Sequence, residues 1–234
     1  MDNVDRKKPT GFIFVSENGT NRRVQFPSVK SDIEDVIATG LVKWMAERPR
    51  NFTVRLVSIH QNIENANDFA AISDLGPCEL ELVEYAPLDR FKGSYQETPH
   101  TVKLSEIHDD ILSLIGKKHE KYGGRCQNIL LCIYVTHAGF NLPGPVIAHL
   151  KVALAGKFSF AAIYFCLPLD ENNVASTQLT PQTLTDLDRV FLKNPLSGEV
   201  RLIMSKQTLP PNIKIGDAGV SITGVMLTTN TKKE

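Results

Sequence analysis

The chain of 234 residues has no excess of charge of either sign and little glycine or proline. Its 26 Lys and Arg residues balance its 26 Asp and Glu residues, so it has no overall positive field to attract nucleic acid or an anionic membrane from a distance. Its 15 glycines and 13 prolines are too few for a fibrous or disordered chain. Any nucleic-acid binding must therefore depend on a local patch of charge.

Long apolar runs are also missing. The longest candidates, residues 129–135 and 158–167, have the length of strands, so the sequence predicts no membrane span and no membrane partner. The first residues lack the apolar segment and the cleavage site of a secretory signal, which predicts a cytoplasmic protein. None of the four cysteines has CxxC spacing. Cys78, Cys132 and Cys166 lie in apolar strand-like runs, which predicts reduced thiols packed as small hydrophobic groups.

The motifs of several common enzyme classes do not occur. The sequence contains no GxxxxGK[ST], GxGxxG or HExxH, and its six histidines do not fall at metal-ligand spacing. No serine occupies a GxSxG elbow. The sequence therefore gives no support to a nucleotide-binding protein, a zinc enzyme or a serine hydrolase.

Hydrophobic periodicity predicts an α/β protein with a mixed central sheet flanked by helices. Alternating apolar residues predict strands in the first half, and nearly continuous apolar runs predict buried strands in the second half. The predicted elements are, in chain order, helix 30–47, strands 52–60, 68–73 and 78–85, helix 105–121, strand 128–136, helix 145–155 and strand 158–166.

We predict one domain over residues 1–234, with a C-terminal extension at 168–234 in which the signals are weaker. The predictions outside the core are an opening hairpin of strands 11–15 and 23–26, a helix at 186–192, and strands at 199–205 and 220–227. Ser31 with Glu34 predicts a capping box for the first helix, and Ser105 predicts the N-cap of the second.

Acidic side chains collect on one face of the predicted hairpin 68–85. Because side chains alternate along a strand, Glu79 and Glu81 share the face opposite the core leucines. The turn at 74–77 folds Asp68 back beside the far part of the second strand. Crowded carboxylates repel one another unless a cation neutralises them, and Mg²⁺ commonly does so. A solvated polar face of an edge hairpin accounts for the same pattern.

This order of elements resembles the core of the PD-(D/E)xK nuclease superfamily, which has the restriction-endonuclease-like fold. The resemblance covers about residues 28–167. It implies that Asp68 and Glu81 bind Mg²⁺ or Mn²⁺, and that Glu34 matches the helix glutamate found in many members. The family motif also has a lysine two positions after the second acid, where this chain has Val83.

The missing lysine leaves two assignments open. If Glu79 is the motif acid, Glu81 occupies the lysine position, as an acid does in some members of the superfamily. If Glu81 is the motif acid, the lysine has moved to the following helix, where Lys118 and Lys121 are the candidates. A cation-rich last helical turn is also what the helix dipole favours, with no catalytic role.

The resemblance implies a metal-dependent nuclease that hydrolyses phosphodiester bonds in DNA or RNA. The alternatives are a non-catalytic binding or structural protein on a degenerate nuclease-like scaffold, and a binding domain of an unrelated α/β fold. The clustered acids favour the enzyme, whereas the net charge of zero favours the non-catalytic protein.

Overall fold

The computed structural model describes residues 12–15, 21–24, 27, 29–61, 68–87, 100–136, 140–169 and 172–202. Its helices and strands are, in chain order, β1 (Phe12–Val15), β2 (Asn21–Val24), α1 (Lys30–Glu47), β3 (Leu56–Gln61), β4 (Phe69–Ser73), β5 (Gly76–Glu84), β6 (His100–Lys103), α2 (Leu104–Tyr122), β7 (Ile129–Tyr134), α3 (Gly144–Leu154), β8 (Ala162–Pro168), β9 (Val174–Thr180), α4 (Asp186–Phe191) and β10 (Glu199–Leu202). Short 3₁₀ helices occupy Pro49–Asn51 and Gly123–Asn128.

The main sheet has six strands in the order β3-β4-β5-β7-β8-β9. The first three form an antiparallel meander, β5, β7 and β8 run parallel, and β9 is antiparallel to β8. The predicted α/β class, with a mixed sheet flanked by helices, is confirmed. The predicted pairing of the meander with the two buried strands, which are β7 and β8, is also confirmed.

The structure also contains two sheets of two strands each. Strands β1 and β2 pair antiparallel, which confirms the predicted opening hairpin. Strand β10 pairs with β6, so the predicted strand at 199–205 is present at its first four residues. The predicted strand at 220–227 lies outside the described residues.

The main sheet curls around α1, which packs against both of its edge strands, β3 and β9. The segment leading into β3 is tied to the opposite edge of the sheet, because the Thr53 N–H donates to Oε1 of Gln178 in β9 over 2.8 Å. The hydroxyl of Tyr164 in β8 donates to the carbonyl of Val54 over 2.8 Å. These bonds satisfy polar groups in the buried interior.

Gly40 lets α1 approach β9 closely. A Cβ atom at this position would lie 2.9 Å from Cγ1 of Val174. The bare Cα therefore sets the distance between the helix and the strand that closes the curl.

The predicted helix caps are wrong. Helix α1 begins at Lys30 after an N-cap at Val29, and the Ser31 hydroxyl bonds Asp32 instead of capping the helix. Helix α2 begins directly after β6, so Ser105 lies inside the helix. The N–H of Leu104 donates to the carbonyl of Gly198, which shows that pairing with β10 determines where α2 starts.

Two predicted strands start later than the pattern indicated. Residues 52–55 precede β3, and residues 158–161 precede β8. Phe52, Val54 and Phe160 are nevertheless buried. Their apolar side chains are therefore used for packing without strand pairing, and periodicity alone does not distinguish the two.

The predicted C-terminal extension supplies part of the core architecture. Strand β9 completes the main sheet, and α4 packs on α3. Between these two helices the Nζ atom of Lys151 donates to Oδ2 of Asp188 over 2.8 Å. The predicted helix at 186–192 is confirmed as α4, whereas β9 was not predicted. Its sequence, Val-Ala-Ser-Thr-Gln-Leu-Thr, lacks the apolar content of a buried strand.

All four cysteines are buried and free, as predicted. Cys132 and Cys166 are neighbours on adjacent strands, with their sulfur atoms 3.1 Å apart. Burial raises the pKa of Cys132 well above its ordinary value, and the neighbouring thiol adds to this effect. Cys132 is therefore a protonated core thiol rather than a nucleophile.

Candidate active site

The β4–β5 hairpin brings the two predicted metal ligands together. Phe69 lies opposite Leu80, so continuing the antiparallel register by one residue places Asp68 opposite Glu81. Oδ2 of Asp68 accepts a hydrogen bond of 2.7 Å from the N–H of Leu82, which holds the aspartate against β5. Directly opposite residues share a face, with Cβ atoms about 4.5–5.5 Å apart. Both carboxylates can therefore reach one cation.

Lysines of α2 contact this acid pair. The Nζ atom of Lys118 donates to Oε1 of Glu81 over 2.5 Å, and the Glu81 side chain is only 4% exposed. The Nζ atom of Lys121 lies 3.9 Å from the same oxygen, and its side chain is 58% exposed. The expectation that a lysine of the second helix reaches Glu81 is confirmed, with Lys118 as the closer of the two.

The position of Lys118 on its helix explains this contact. Ile111, Ile115, Lys118 and Tyr122 are spaced by four, three and four residues, which puts them on one stripe of α2. The two isoleucines are fully buried in the hydrophobic core. A lysine that continues a core-facing stripe is forced toward the sheet, where it needs an anionic partner.

Tyr122 belongs to the site and was not predicted. Its hydroxyl accepts a hydrogen bond of 2.7 Å from Nζ of Lys121 and is also hydrogen-bonded to Glu81. Burial raises the pKa of Tyr122, and the charge of Glu81 adds to this, so the phenol remains neutral. The guanidinium of Arg125 lies 5.6 Å from the centre of its ring. The spacing of four residues from Lys118 is the sequence signal that could have identified it.

Glu34 reaches the site from the other face of the sheet. It accepts a hydrogen bond of 3.4 Å from the hydroxyl of Tyr134 in β7, and it pairs with Lys30 over 3.0 Å. Glu81 faces α2, whereas Tyr134 faces α1. The charge of Glu34 raises the pKa of Asp68, although within the described residues no hydrogen bond joins the two side chains. The capping role predicted for Glu34 is thus replaced by a buried role near the acids.

Several features of the site shift the pKa of Asp68. Burial is the main cause that raises the pKa of Asp68, and the charges of Glu81 and Glu34 raise it further. The hydrogen bond from Leu82 and the charge of Lys30 oppose this without cancelling it. The raised pKa of Asp68 is therefore caused mainly by its burial, with the two neighbouring carboxylates adding to it.

The acid pair lies near the middle of the parallel strands, because Glu81 lies opposite Leu131, the third residue of β7. Strand β5 remains regular to Glu84, whose Oε1 accepts a hydrogen bond of 2.5 Å from the hydroxyl of Thr136, just after β7.

Glu79 is less well placed than Glu81. It lies opposite Ala70 and is half-exposed, and within the described residues we find no hydrogen bond or ion pair to its side chain. The assignment of Glu79 as motif acid, with Glu81 at the lysine position, remains a prediction.

The donor set fits a hard divalent cation. Mg²⁺ is commonly held by one or two carboxylates and keeps several waters, and Asp68 and Glu81 supply two carboxylates on opposing strand positions. Over the ranges that the structure describes, no group of three or more His, Cys, Asp and Glu side chains is arranged to hold a metal ion. A cation at Asp68 and Glu81 would therefore complete its coordination with water or with substrate oxygens.

Comparisons of the chain with protein-family models, curated proteins and solved structures find no match. In the described part of the chain, no helix is both long enough and apolar enough to cross a bilayer. The functional interpretation therefore depends on the chemistry of the site itself.

Proposed function

We propose that the chain is a divergent member of the PD-(D/E)xK nucleases, a metal-dependent enzyme that hydrolyses phosphodiester bonds in DNA or RNA. One observation carries this proposal. Lys118, from the helix that follows the hairpin, contacts Glu81 beside Asp68 in a chain that has Val83 at the motif lysine position. The acid pair is thus contacted by an ammonium group that comes from α2 rather than from the motif position on β5.

The order of the core elements supports the proposal. Helix α1 precedes the antiparallel meander β3-β4-β5, and α2 then crosses over to β7, which lies parallel to β5. This succession is the one expected of a restriction-endonuclease-like core. Strand β9 and helix α4 would be additions to that core.

The residues of the site have distinct roles in the proposed reaction. Asp68 and Glu81 hold Mg²⁺ or Mn²⁺, which when bound polarises a phosphoryl oxygen and activates a water. Lys118 and Lys121 place positive charge where the transferred phosphoryl group gains negative charge. One such preorganised donor is typically worth ~10²–10³ in rate. Tyr122 holds the Lys121 ammonium near Glu81, and Glu34 strengthens the attraction for cations.

The test is a cleavage assay with Mg²⁺ and with Mn²⁺ on single- and double-stranded DNA and RNA. Glu81→Ala removes one proposed metal ligand, and we expect cleavage to fall by roughly 10²-fold or more. Glu120→Ala is the matched control because this glutamate is exposed on α2 and its removal changes the net charge equally. The proposal fails if the wild type cleaves none of the four substrates, or if Glu81→Ala cleaves as fast as the control.

A specific observation favours a second candidate, a non-catalytic nucleic-acid-binding or structural protein on a degenerate scaffold. Each of the three central acids already has a partner within the protein, namely Lys30 for Glu34, Lys118 for Glu81 and the Leu82 N–H for Asp68. A site neutralised in this way can be structural. Binding of the same substrates in a gel-shift assay, without cleavage under any condition, would support this candidate.

A further inference from the structure

We infer that Lys118 is a resident counter-ion of Glu81 which competes with the divalent metal ion, so that metal binding releases the Lys118 ammonium group toward the substrate phosphate. This inference rests on the proposed function and adds an order of events to it. The metal would bind before the lysine becomes available to the substrate.

The geometry makes the two cations mutually exclusive on one oxygen. Oε1 of Glu81 accepts the Lys118 hydrogen bond over 2.5 Å, and the Lys121 ammonium lies 3.9 Å away. A magnesium ion binds a carboxylate oxygen at about 2.0–2.1 Å. Both cations on this oxygen would lie within a few ångströms of each other, where their repulsion is strong because the carboxylate is buried.

Lys118 is able to leave without disturbing its helix. Its side chain is 22% exposed, while α2 is anchored by the buried residues Ile111 and Ile115. The flexible four-carbon stem can carry the ammonium group away from the carboxylate. Tyr122 remains to hold the freed Glu81 by its hydroxyl.

The exchange of partners would couple metal loading to substrate binding. While Lys118 is paired with Glu81, its charge is compensated and attracts a phosphate weakly. Once a metal ion takes the carboxylate, the same charge is available to a phosphate oxygen. Such coupling is reciprocal, so a bound phosphate that holds Lys118 would also raise the affinity for metal.

The test is isothermal titration of MnCl₂ into the full chain without nucleic acid. Lys118→Met keeps the length and removes the charge, and we expect its affinity for Mn²⁺ to exceed that of the wild type by about tenfold. Lys117→Met is the matched control, because this lysine is the neighbouring residue on α2 and is exposed. We expect the control to bind Mn²⁺ as the wild type does.

Saturable binding by Lys118→Met alone, with binding by the wild type too weak to measure, would also support the inference. Equal or weaker binding by Lys118→Met, while the wild type binds saturably, would overturn it and leave the proposed nuclease standing. No saturable binding by any of the three proteins would overturn it as well, and would also remove the metal ligands from the proposed function. Lys118→Gln, checked by circular dichroism for native structure, repeats the measurement if Lys118→Met does not fold.

Discussion

The buried ion pair between α3 and α4 allows a sharp prediction about stability. The Lys151 and Asp188 side chains are 6% and 8% exposed, and Nζ lies 2.8 Å from Oδ2. The same oxygen accepts hydrogen bonds of 2.8 Å from both the N–H and the hydroxyl of Thr185, the N-cap residue of α4. The aspartate therefore has three donors, whereas the lysine depends on the aspartate.

This asymmetry determines the expected magnitudes. Asp188→Asn keeps the shape but leaves the Lys151 ammonium buried without a counter-charge, and breaking such a pair costs roughly 3–5 kcal/mol. Lys151→Met leaves the carboxylate with both Thr185 donors and the helix dipole, so we expect a smaller loss of about 2 kcal/mol. The double variant removes both charges together. We expect it to be more stable than Asp188→Asn alone.

Urea denaturation followed by circular dichroism measures these free energies of unfolding. For a chain of this size the loss in Asp188→Asn corresponds to a fall in Tm of about 10 °C. The argument is refuted if Asp188→Asn loses less than about 1 kcal/mol, or if the losses of the two single variants simply add in the double variant.

The same pair predicts a dependence on pH. Burial favours the neutral form of Asp188, but the hydrogen bonds from Lys151 and Thr185 outweigh it and lower the pKa of Asp188 below the ordinary value of 3.8. The unfolded chain then takes up this proton at a higher pH than the folded chain does. The stability advantage of the wild type over Asp188→Asn should be complete above pH 3.8 and shrink as the pH falls through the lower, folded-state pKa.

Two further predictions concern the curl of the sheet. Gln178→Leu should lower the free energy of unfolding by roughly 2–4 kcal/mol, because the N–H groups of Thr53 and Val54 would lose the acceptor that they share. A loss below about 1 kcal/mol in urea denaturation would contradict this prediction. Gly40→Ala should be destabilising because the new Cβ atom would lie 2.9 Å from Cγ1 of Val174. Gly116→Ala adds a Cβ atom that meets no neighbouring side chain within 4 Å, so this variant should stabilise α2 by about 0.5–1 kcal/mol. Equal shifts in Tm for the two alanine variants would show that Gly40 is not a packing constraint.

The sequence by itself predicted the meander and the return of Asp68 toward the strand that carries Glu81. Alternation placed Glu81 on the face opposite the core leucines, and the tight turn after Ser73 set which residues of β4 and β5 lie opposite each other. The sequence predicted this turn at 74–77, whereas the structure turns at residues 74 and 75 alone, which pairs Ser73 with Gly76 and places Asp68 opposite Glu81. A two-residue hairpin fixes its own register, so this pairing follows once the length of the turn is known.

The tertiary structure decided what depends on distant parts of the chain. Helix α2 starts at Leu104 because β6 pairs with β10, nearly a hundred residues later, and β9 is a strand because β8 and α1 cover it. Which acid receives the lysine depends on how α2 is rotated against the sheet. That rotation is set by the burial of Ile111 and Ile115, and it brings Lys118 to Glu81 rather than to Glu79. Helix orientation results from packing over the whole interface, and no single segment of the sequence encodes it.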